Sequence, residues 1–241
     1  MIQAPAITLS GTHTIGDRAL FTADMTLPAR QWTALLGPSG VGKSTVLRLI
    51  LGLETGGAFE GDIAASDGAS LDGRISYMAQ SDLLLPWLSV LENAVIGARL
   101  RGDTPDMDRA RALLDRVGLA SDADKKPGAL SGGMRQRAAL VRTLMEDRPI
   151  VFLDEPFSAL DAATRADMQE LAADVLADRT VLLVTHDPAE AARLAHQIIV
   201  LSGQGVTTWD TPAAAIPRDI QDPETIACQM RLFTHVRAAA A

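Results

Sequence analysis

Short apolar runs alternating with helical segments form the main pattern of the chain. The runs are rich in leucine and β-branched residues, and turn residues bound them. Continuous apolar runs of this length are typical of strands buried on both faces of a parallel sheet. They predict strands at 32–36, 75–78, 150–153, 181–184 and 198–201. Helical spacing predicts helices at 44–51, 108–117, 134–145, 163–176 and 188–194. The alternation indicates an α/β fold with a mainly parallel sheet.

Residues 86–147 interrupt the alternation with helical segments and no convincing strand. They predict a helical insert within one domain of 241 residues, whose core is formed by 1–85 and 148–212. The tail, 213–241, suggests a terminal helix and no chemistry. The Gly-, Asp- and Ser-rich stretch 56–73 predicts turns around a short peripheral hairpin.

Composition narrows the class of protein. The net charge of −8 argues against a general nucleic-acid binder, although a local basic patch stays open. The single cysteine, Cys228, excludes an internal disulfide framework. The apolar runs are far shorter than the roughly 18 residues of a membrane span, and the N-terminus does not resemble a secretory signal. We therefore expect a cytoplasmic protein that acts at a membrane only through a partner.

A glycine-rich loop follows the first predicted strand of the sheet. Residues 37–45 read GPSGVGKST and lie between an apolar run and a helical segment, which is the context of a P-loop. Such a loop turns its backbone N–H groups toward a phosphate, Lys43 contacts the β- and γ-phosphates, and Ser44 is a ligand for Mg²⁺. The predicted nucleotide-binding residues are Gly37, Pro38, Ser39, Gly40, Val41, Gly42, Lys43, Ser44 and Thr45. The loop alone leaves kinases, GTPases and motors open.

Two adjacent acids follow the apolar run at 150–153. Asp154 falls at the carboxyl end of the predicted strand, where α/β sheets bind their ligands, and is suited to hold Mg²⁺. Glu155 is then placed to act as a general base on an attacking water. The alternative is that both acids only solvate a loop; the P-loop favours the functional interpretation.

The stretch LSGGMRQRAAL, residues 130–140, predicts a helix that begins after Ser131. Gly132 and Gly133 suit a helix N-terminus better than its interior, and the Ser131 hydroxyl suits the cap position. The uncapped N–H groups of such a terminus can bind an anion. The chain thus has a second predicted anion site besides the P-loop.

These motifs occur in the order P-loop, LSGGMRQR, LDEP and VTHD, which resembles the nucleotide-binding subunits of ATP-binding cassette (ABC) proteins over roughly residues 30–202. The resemblance implies a P-loop NTPase (RecA-like) core with peripheral antiparallel strands and an inserted helical subdomain. It implies ATP hydrolysis with Mg²⁺ in a head-to-tail dimer of two copies. In that dimer the LSGG signature of one copy caps the ATP bound by the P-loop of the other.

The resemblance also assigns roles to matching positions. Gln80 matches the glutamine that reaches Mg²⁺ and the attacking water, so the implied metal ligands are Ser44, Gln80 and Asp154. His186 matches the switch histidine on the γ-phosphate, and Asp161 a residue that contacts the opposite copy. The signature positions are Ser131, Gly132, Gly133 and Gln136.

One position departs from the family pattern. The family usually has an aromatic residue upstream of the P-loop that stacks on adenine. Here that position falls near His13 or Ile15, and the nearest aromatic carbocycle is Phe21. The sequence leaves three alternatives open: adenine rests on His13, it rests on Ile15, or it is held loosely.

The chain has one cassette and no predicted membrane span, which favours an importer whose transmembrane permease is a separate chain. Residues 80–94, QSDLLLPWLSVLENA, are similar to cassettes of the nitrate, sulfonate, taurine and pyrimidine-precursor importers. In that group the apolar run 83–87 lines the groove for a permease helix, although it could also only pack the insert. The resemblance implies a peripheral subunit at the cytoplasmic face of the cell membrane, a periplasmic solute-binding protein and no nucleic acid. An exporter or lipoprotein-release cassette, or a soluble ABC ATPase, remains the alternative.

Overall fold

The computed structural model describes residues 4–203 and 205–239. Residues 1–3, 204, 240 and 241, including both ends of the predicted domain, lie outside the described residues. The strands are β1 (Ile7–Ile15), β2 (Arg18–Leu27), β3 (Trp32–Leu36), β4 (Ala58–Ala65), β5 (Ile75–Met78), β6 (Ile150–Asp154), β7 (Thr180–Val184), β8 (Gln197–Ser202) and β9 (Gly205–Trp209). The α-helices are α1 (Lys43–Ile50), α2 (Val90–Ala94), α3 (Ile96–Arg101), α4 (Met107–Arg116), α5 (Gly132–Met145), α6 (Ala162–Val175), α7 (Pro188–Leu194) and α8 (Pro223–Ala239).

The α/β fold predicted from the apolar pattern is confirmed. All ten predicted strands and helices form, each within two residues of its predicted bounds. Every residue of β3, β6 and β7 is buried, as expected for inner strands of a parallel sheet. The predicted hairpin at 56–73 is wrong. This stretch has one strand, β4, which pairs with the distant β1, and the turns come after it.

The first of two compact units is formed by Met1–Ile75, Pro149–Asp154 and Ala177–Ala241. Its main sheet runs in the order β6-β7-β3-β8-β9, with β9 antiparallel to β8 and the others parallel. Asp154 is level with Val184, and Val184 with Leu35. The carboxyl ends of three neighbouring strands therefore lie at one edge of this sheet, which is where such folds bind ligands.

A second sheet of the first unit is antiparallel, in the order β2-β1-β4. Its register shifts between His13 and Thr14, which is a bulge or irregularity that re-aims the side chains beyond it. Elsewhere in this unit α7 and α8 pack together, and a core that includes Ala191, Cys228 and Leu232 joins them to the main sheet.

The second unit is formed by Ser76–Arg148 and Glu155–Leu176, and α5 is its central helix. The middle of α5 is buried from Ala138 to Val141, and the helix packs against α2, α4 and α6. Residues 86–147 contain only helices and connecting segments. None of the helices in the described part of the chain has the length and apolar character needed to cross a membrane.

Candidate nucleotide-binding and hydrolysis residues

The P-loop of the first unit connects β3 to α1. A Cβ added to Gly37 would lie 2.2 Å from the Leu201 carbonyl oxygen, so only glycine fits there. Gly42 precedes α1 in the left-handed conformation with φ 108°, and no side chain caps the helix start. The Lys43 ammonium donates to the carbonyl oxygens of Gly37 (2.7 Å) and Pro38 (2.9 Å). The loop thus presents a helix N-terminus and a cation on one short segment, which suits a phosphate.

Asp154 and His186 lie at the same edge of the main sheet as the P-loop. Asp154 is the last residue of β6 and is 5% exposed. His186 follows β7 and is exposed. The next residue, Asp187, caps α7 by accepting from the Ala189 N–H at 2.8 Å, which fixes the turn in which His186 sits. The structure therefore places Asp154 at the edge that its apolar run predicted, together with His186, which the resemblance had assigned.

His13, one of two candidates for contact with adenine, is wrong for that role. Its side chain is fully buried. The imidazole stacks on Phe21 with ring centroids 5.7 Å apart, and Nε2 lies 2.8 Å from the Thr55 hydroxyl. The physical reason is that β1 turns this side chain into the sheet interior, where a nucleotide base cannot reach it.

Ile15, the other candidate, is 49% exposed at the end of β1. It lines an open cavity of about 490 Å³ together with Arg18, Leu20 and the P-loop residues 38–41. The cavity therefore joins the phosphate-binding loop to an apolar wall in the same unit. A base held there would meet an aliphatic side chain in place of an aromatic ring.

In the second unit, Gln80 and Glu155 form a pair. The Gln80 amide Nε2 donates to the Glu155 carboxylate Oε2 at 3.1 Å. Glu155 has a φ of 49°, a conformation that costs a non-glycine residue about 1–2 kcal/mol. Strained backbone of this kind is concentrated at functional sites.

The Gln136 side chain forms a hydrogen bond with the backbone of Glu155. It is 6% exposed; its Nε2 donates to the Glu155 carbonyl oxygen (2.9 Å) and to the Ser158 hydroxyl (3.3 Å). Its Oε1 accepts from the Ala159 N–H at 2.8 Å. The amide is thus engaged within its own unit, by the loop that connects Glu155 to α6.

The signature forms the N-terminus of α5, as predicted. Ser131 is the cap residue, and its hydroxyl accepts from the Met134 N–H at 3.2 Å. Gly132 is exposed, and a Cβ added to Gly133 would lie 3.3 Å from the Ala159 carbonyl oxygen. Asp161 caps α6 by accepting from Thr164, whose backbone N–H lowers the pKa of the Asp161 carboxyl. Asp161 and the signature therefore stand at two different helix starts.

A match to the protein-family model described as "ABC transporter" covers residues 20–158, more than half of the chain. The chain belongs to the ABC transporter family. An uncharacterized ABC transporter ATP-binding protein of Haemophilus influenzae is 42% identical, over 87% of this chain and 89% of the relative. An aliphatic sulfonates import ATP-binding protein, SsuB 1 of Rhodococcus jostii, is also 42% identical, over 95% of this chain and 94% of the relative.

A solved ATP-binding cassette, dimeric in a post-hydrolysis state with ADP and Pi, resembles this ABC chain with a TM-score of 0.75 and 27% identity. The alignment covers 86% of this chain and all of that one. A bacterial Atm1-family ABC exporter with ATP bound, 24% identical, shares the fold, with a TM-score of 0.76. This ABC chain is accordingly an ATP-binding cassette subunit with ATPase activity.

Several residues of this ABC cassette that shape the candidate site were not found from the sequence. Ser158 and Ala159 bind Gln136, and Phe21 lies against the P-loop, where a Cβ on Gly42 would come within 2.7 Å of its ring. Their only sequence signal is that Ser158 and Ala159 belong to the stretch SALD, residues 158–161, which ends at Asp161. Phe21 carries no local signal, because its contact is with a residue 21 positions away.

Proposed function

We propose that this chain is the ATP-hydrolysing subunit of an importer and works in a head-to-tail dimer with a second copy. The observation that carries the proposal is the pair of helix starts with anion-binding features. One follows the P-loop in the first unit, and the other is the signature of α5 in the second unit. In the proposed dimer, the signature of each copy binds the γ-phosphate on the P-loop of the other.

The residues present fit ATP with Mg²⁺. The P-loop supplies N–H donors and the Lys43 ammonium for phosphate, and the cavity beside Ile15 is open to a base. Hydroxyl and carboxylate oxygens are donors that Mg²⁺ prefers, and Ser44 and Asp154 supply them, with Gln80 as the third proposed ligand. When held by these residues, Mg²⁺ would supply positive charge that offsets the negative charge of the phosphates during hydrolysis.

Hydrolysis needs a base for the attacking water, and Glu155 is the proposed base. Its carboxylate accepts from the Gln80 amide, which fixes the position of the proposed base. His186 is proposed to hold the γ-phosphate. Asp161 is proposed to contact the opposite copy from its exposed position at the start of α6.

The apolar run 83–87 is the proposed contact with a transmembrane permease. Leu83 is 62% and Trp87 65% exposed, although the segment that carries them is held in place. Arg142 donates to the Leu83 carbonyl oxygen at 2.7 Å. The buried Asn93 accepts from the Leu85 N–H at 2.8 Å and donates to its carbonyl oxygen at 3.2 Å. Large apolar side chains on a rigid, exposed segment are typical of an interaction surface.

Import is favoured over export because relatives such as the Rhodococcus jostii protein are named as importers of aliphatic sulfonates. We therefore propose an organic sulfonate as the solute, a periplasmic solute-binding protein as a further partner, and a peripheral position at the cytoplasmic face of the membrane. Disrupting the gene should abolish growth with an alkanesulfonate, but not sulfate, as the sulfur source. Unchanged growth on both would refute the proposed solute, and binding screens on the cognate solute-binding protein would then identify the correct one.

Glu155→Gln tests the ATPase mechanism. The variant should bind ATP, hydrolyse it about 10²–10⁴ times more slowly, and accumulate as an ATP-bound dimer in size-exclusion chromatography. Glu224→Gln, an exposed carboxylate of α8, is the matched control and should hydrolyse ATP normally. Near-normal turnover by Glu155→Gln would overturn its assignment as the base and move attention to His186.

A further inference from the structure

Two side chains of β2, Phe21 and Leu20, lie against Gly42 of the P-loop, and the Phe21 ring is the nearer of the two; a Cβ added to Gly42 would lie 3.3 Å from Leu20 Cδ2. Phe21 is 3% exposed, and a Cβ added to Gly42 would lie 2.7 Å from its Cδ1 and 3.1 Å from its Cε1. The ring is therefore packed flush against the Gly42 backbone. Gly42 is the left-handed residue immediately before Lys43 and α1.

The ring of Phe21 is itself held in place. His13 stacks on it nearly parallel, with 18° between the ring planes, and pairs with it across β1 and β2. Gly57 also lies against the imidazole, since a Cβ there would be 2.6 Å from His13 Cε1 and 3.1 Å from His13 Nε2. The Thr55 hydroxyl, 2.8 Å from His13 Nε2, fixes the plane of the imidazole.

We infer that Phe21, held by His13 and Thr55, is a positioning residue that fixes the P-loop in its phosphate-binding conformation before nucleotide arrives. Glycine has the widest choice of backbone conformations, so Gly42 without a wall beside it would sample several. Each conformation turns the N–H groups that follow it in a different direction. A loop that is ordered in advance binds more tightly, because binding does not have to restrict it.

This inference rests on the proposed ATPase site and assigns to His13 a role different from adenine stacking. The stack touches the backbone of the loop and no reacting atom. Loss of the ring should therefore weaken nucleotide affinity, while turnover at saturating ATP should change little. It should also loosen the P-loop of the nucleotide-free chain.

The experiment compares Phe21→Leu with Phe59→Leu in the full chain. Phe59 lies on β4 of the same sheet and also packs against glycines, Gly11 and Gly61, so it is a matched control. ADP binding is measured by calorimetry. Amide hydrogen exchange over residues 37–45 is measured separately on the nucleotide-free chain, and thermal unfolding reports whether each variant is folded. We expect ADP to bind Phe21→Leu about tenfold more weakly than the control, the order set by restricting one backbone residue, with faster exchange in the P-loop.

ADP affinity within twofold of the control, or unchanged exchange at 37–45, would overturn the inference. If Phe21→Leu does not fold, Thr55→Val decides, since it releases the imidazole while preserving volume. It should weaken ADP binding in the same direction by about threefold, and unchanged affinity would likewise overturn the inference. ADP binding does not depend on turnover. A chain that binds ADP but fails to hydrolyse ATP would therefore refute the proposed function, and the comparison of ADP affinities between the variants would still test the role of Phe21.

Discussion

Replacing Gln136 by leucine should remove the side-chain hydrogen bonds that stabilise the left-handed backbone of Glu155. Leucine has a similar size but no amide, so three hydrogen bonds to residues 155, 158 and 159 are lost. The Glu155 carbonyl oxygen keeps the Ser158 hydroxyl, at 3.0 Å, as a donor. The Ala159 N–H loses its side-chain acceptor, at a cost of about 1–3 kcal/mol if no water replaces it.

The effect on catalysis follows from the left-handed conformation of Glu155. That conformation costs about 1–2 kcal/mol, and the bonds from Gln136 help to offset it. Without them, the population of Glu155 that is aimed at Gln80 should fall by about tenfold, since 1.4 kcal/mol corresponds to a factor of ten. We expect kcat to fall by about this factor, the Kd for ATP to stay the same, and the free energy of unfolding to fall by about 1–3 kcal/mol.

Gln169→Leu is the matched control, because Gln169 is equally buried (5% exposed) in the same unit but lies on α6. It should lose stability in urea unfolding and keep its kcat in a coupled ATPase assay. If Gln136→Leu lost stability to the same extent with kcat unchanged, Gln136 would be a purely structural residue. The link from its amide to the general base would then be refuted.

Three further predictions use the same purified chain. Gly133→Asp should leave ATP binding to the monomer intact and abolish ATP-dependent dimer closure. Mixing this variant with Lys43→Ala, which should bind no ATP, should restore partial ATPase activity. Loss of ATP binding by Gly133→Asp would refute the head-to-tail arrangement. Ile15→Tyr should bind ATP about fivefold more tightly by calorimetry, since base stacking on an aromatic ring contributes about 1 kcal/mol or more, and unchanged affinity would place the base elsewhere. The Nδ1 of His196 accepts from the Trp32 N–H at 3.0 Å, and burial, followed by the charge of Arg218, lowers the pKa of its imidazole. The unfolded chain therefore binds a proton first, so the stability measured by urea unfolding should be constant above about pH 7 and decline as the pH falls below about 6.5, whereas His196→Asn should show a smaller decline.

The sequence alone determined the inner strands, their helices and the motif positions. This was possible because these features are local. A buried strand such as 150–154 needs only a continuous apolar run, and a P-loop needs glycine, lysine and a hydroxyl in consecutive positions. The Ser131 cap was predicted for the same reason, since a cap bonds to a residue three positions away.

The tertiary structure decided what depends on distant partners. β1 escaped prediction because Gly11 and buried His13 break the alternation of apolar and polar residues along it. β2 was missed although its buried residues from Phe21 to Leu27 alternate with exposed ones. The sequence could not exclude His13 from contact with adenine, since only the pairing of β1 with β2 and β4 puts it in the interior. The hydrogen bond from Gln136 to the Glu155 carbonyl oxygen joins residues 19 positions apart. The sequence does not indicate which backbone group a side-chain amide of this kind will bind. Local chemistry thus named the residues of the candidate site, while long-range packing decided which of them face a ligand and which hold the others in place.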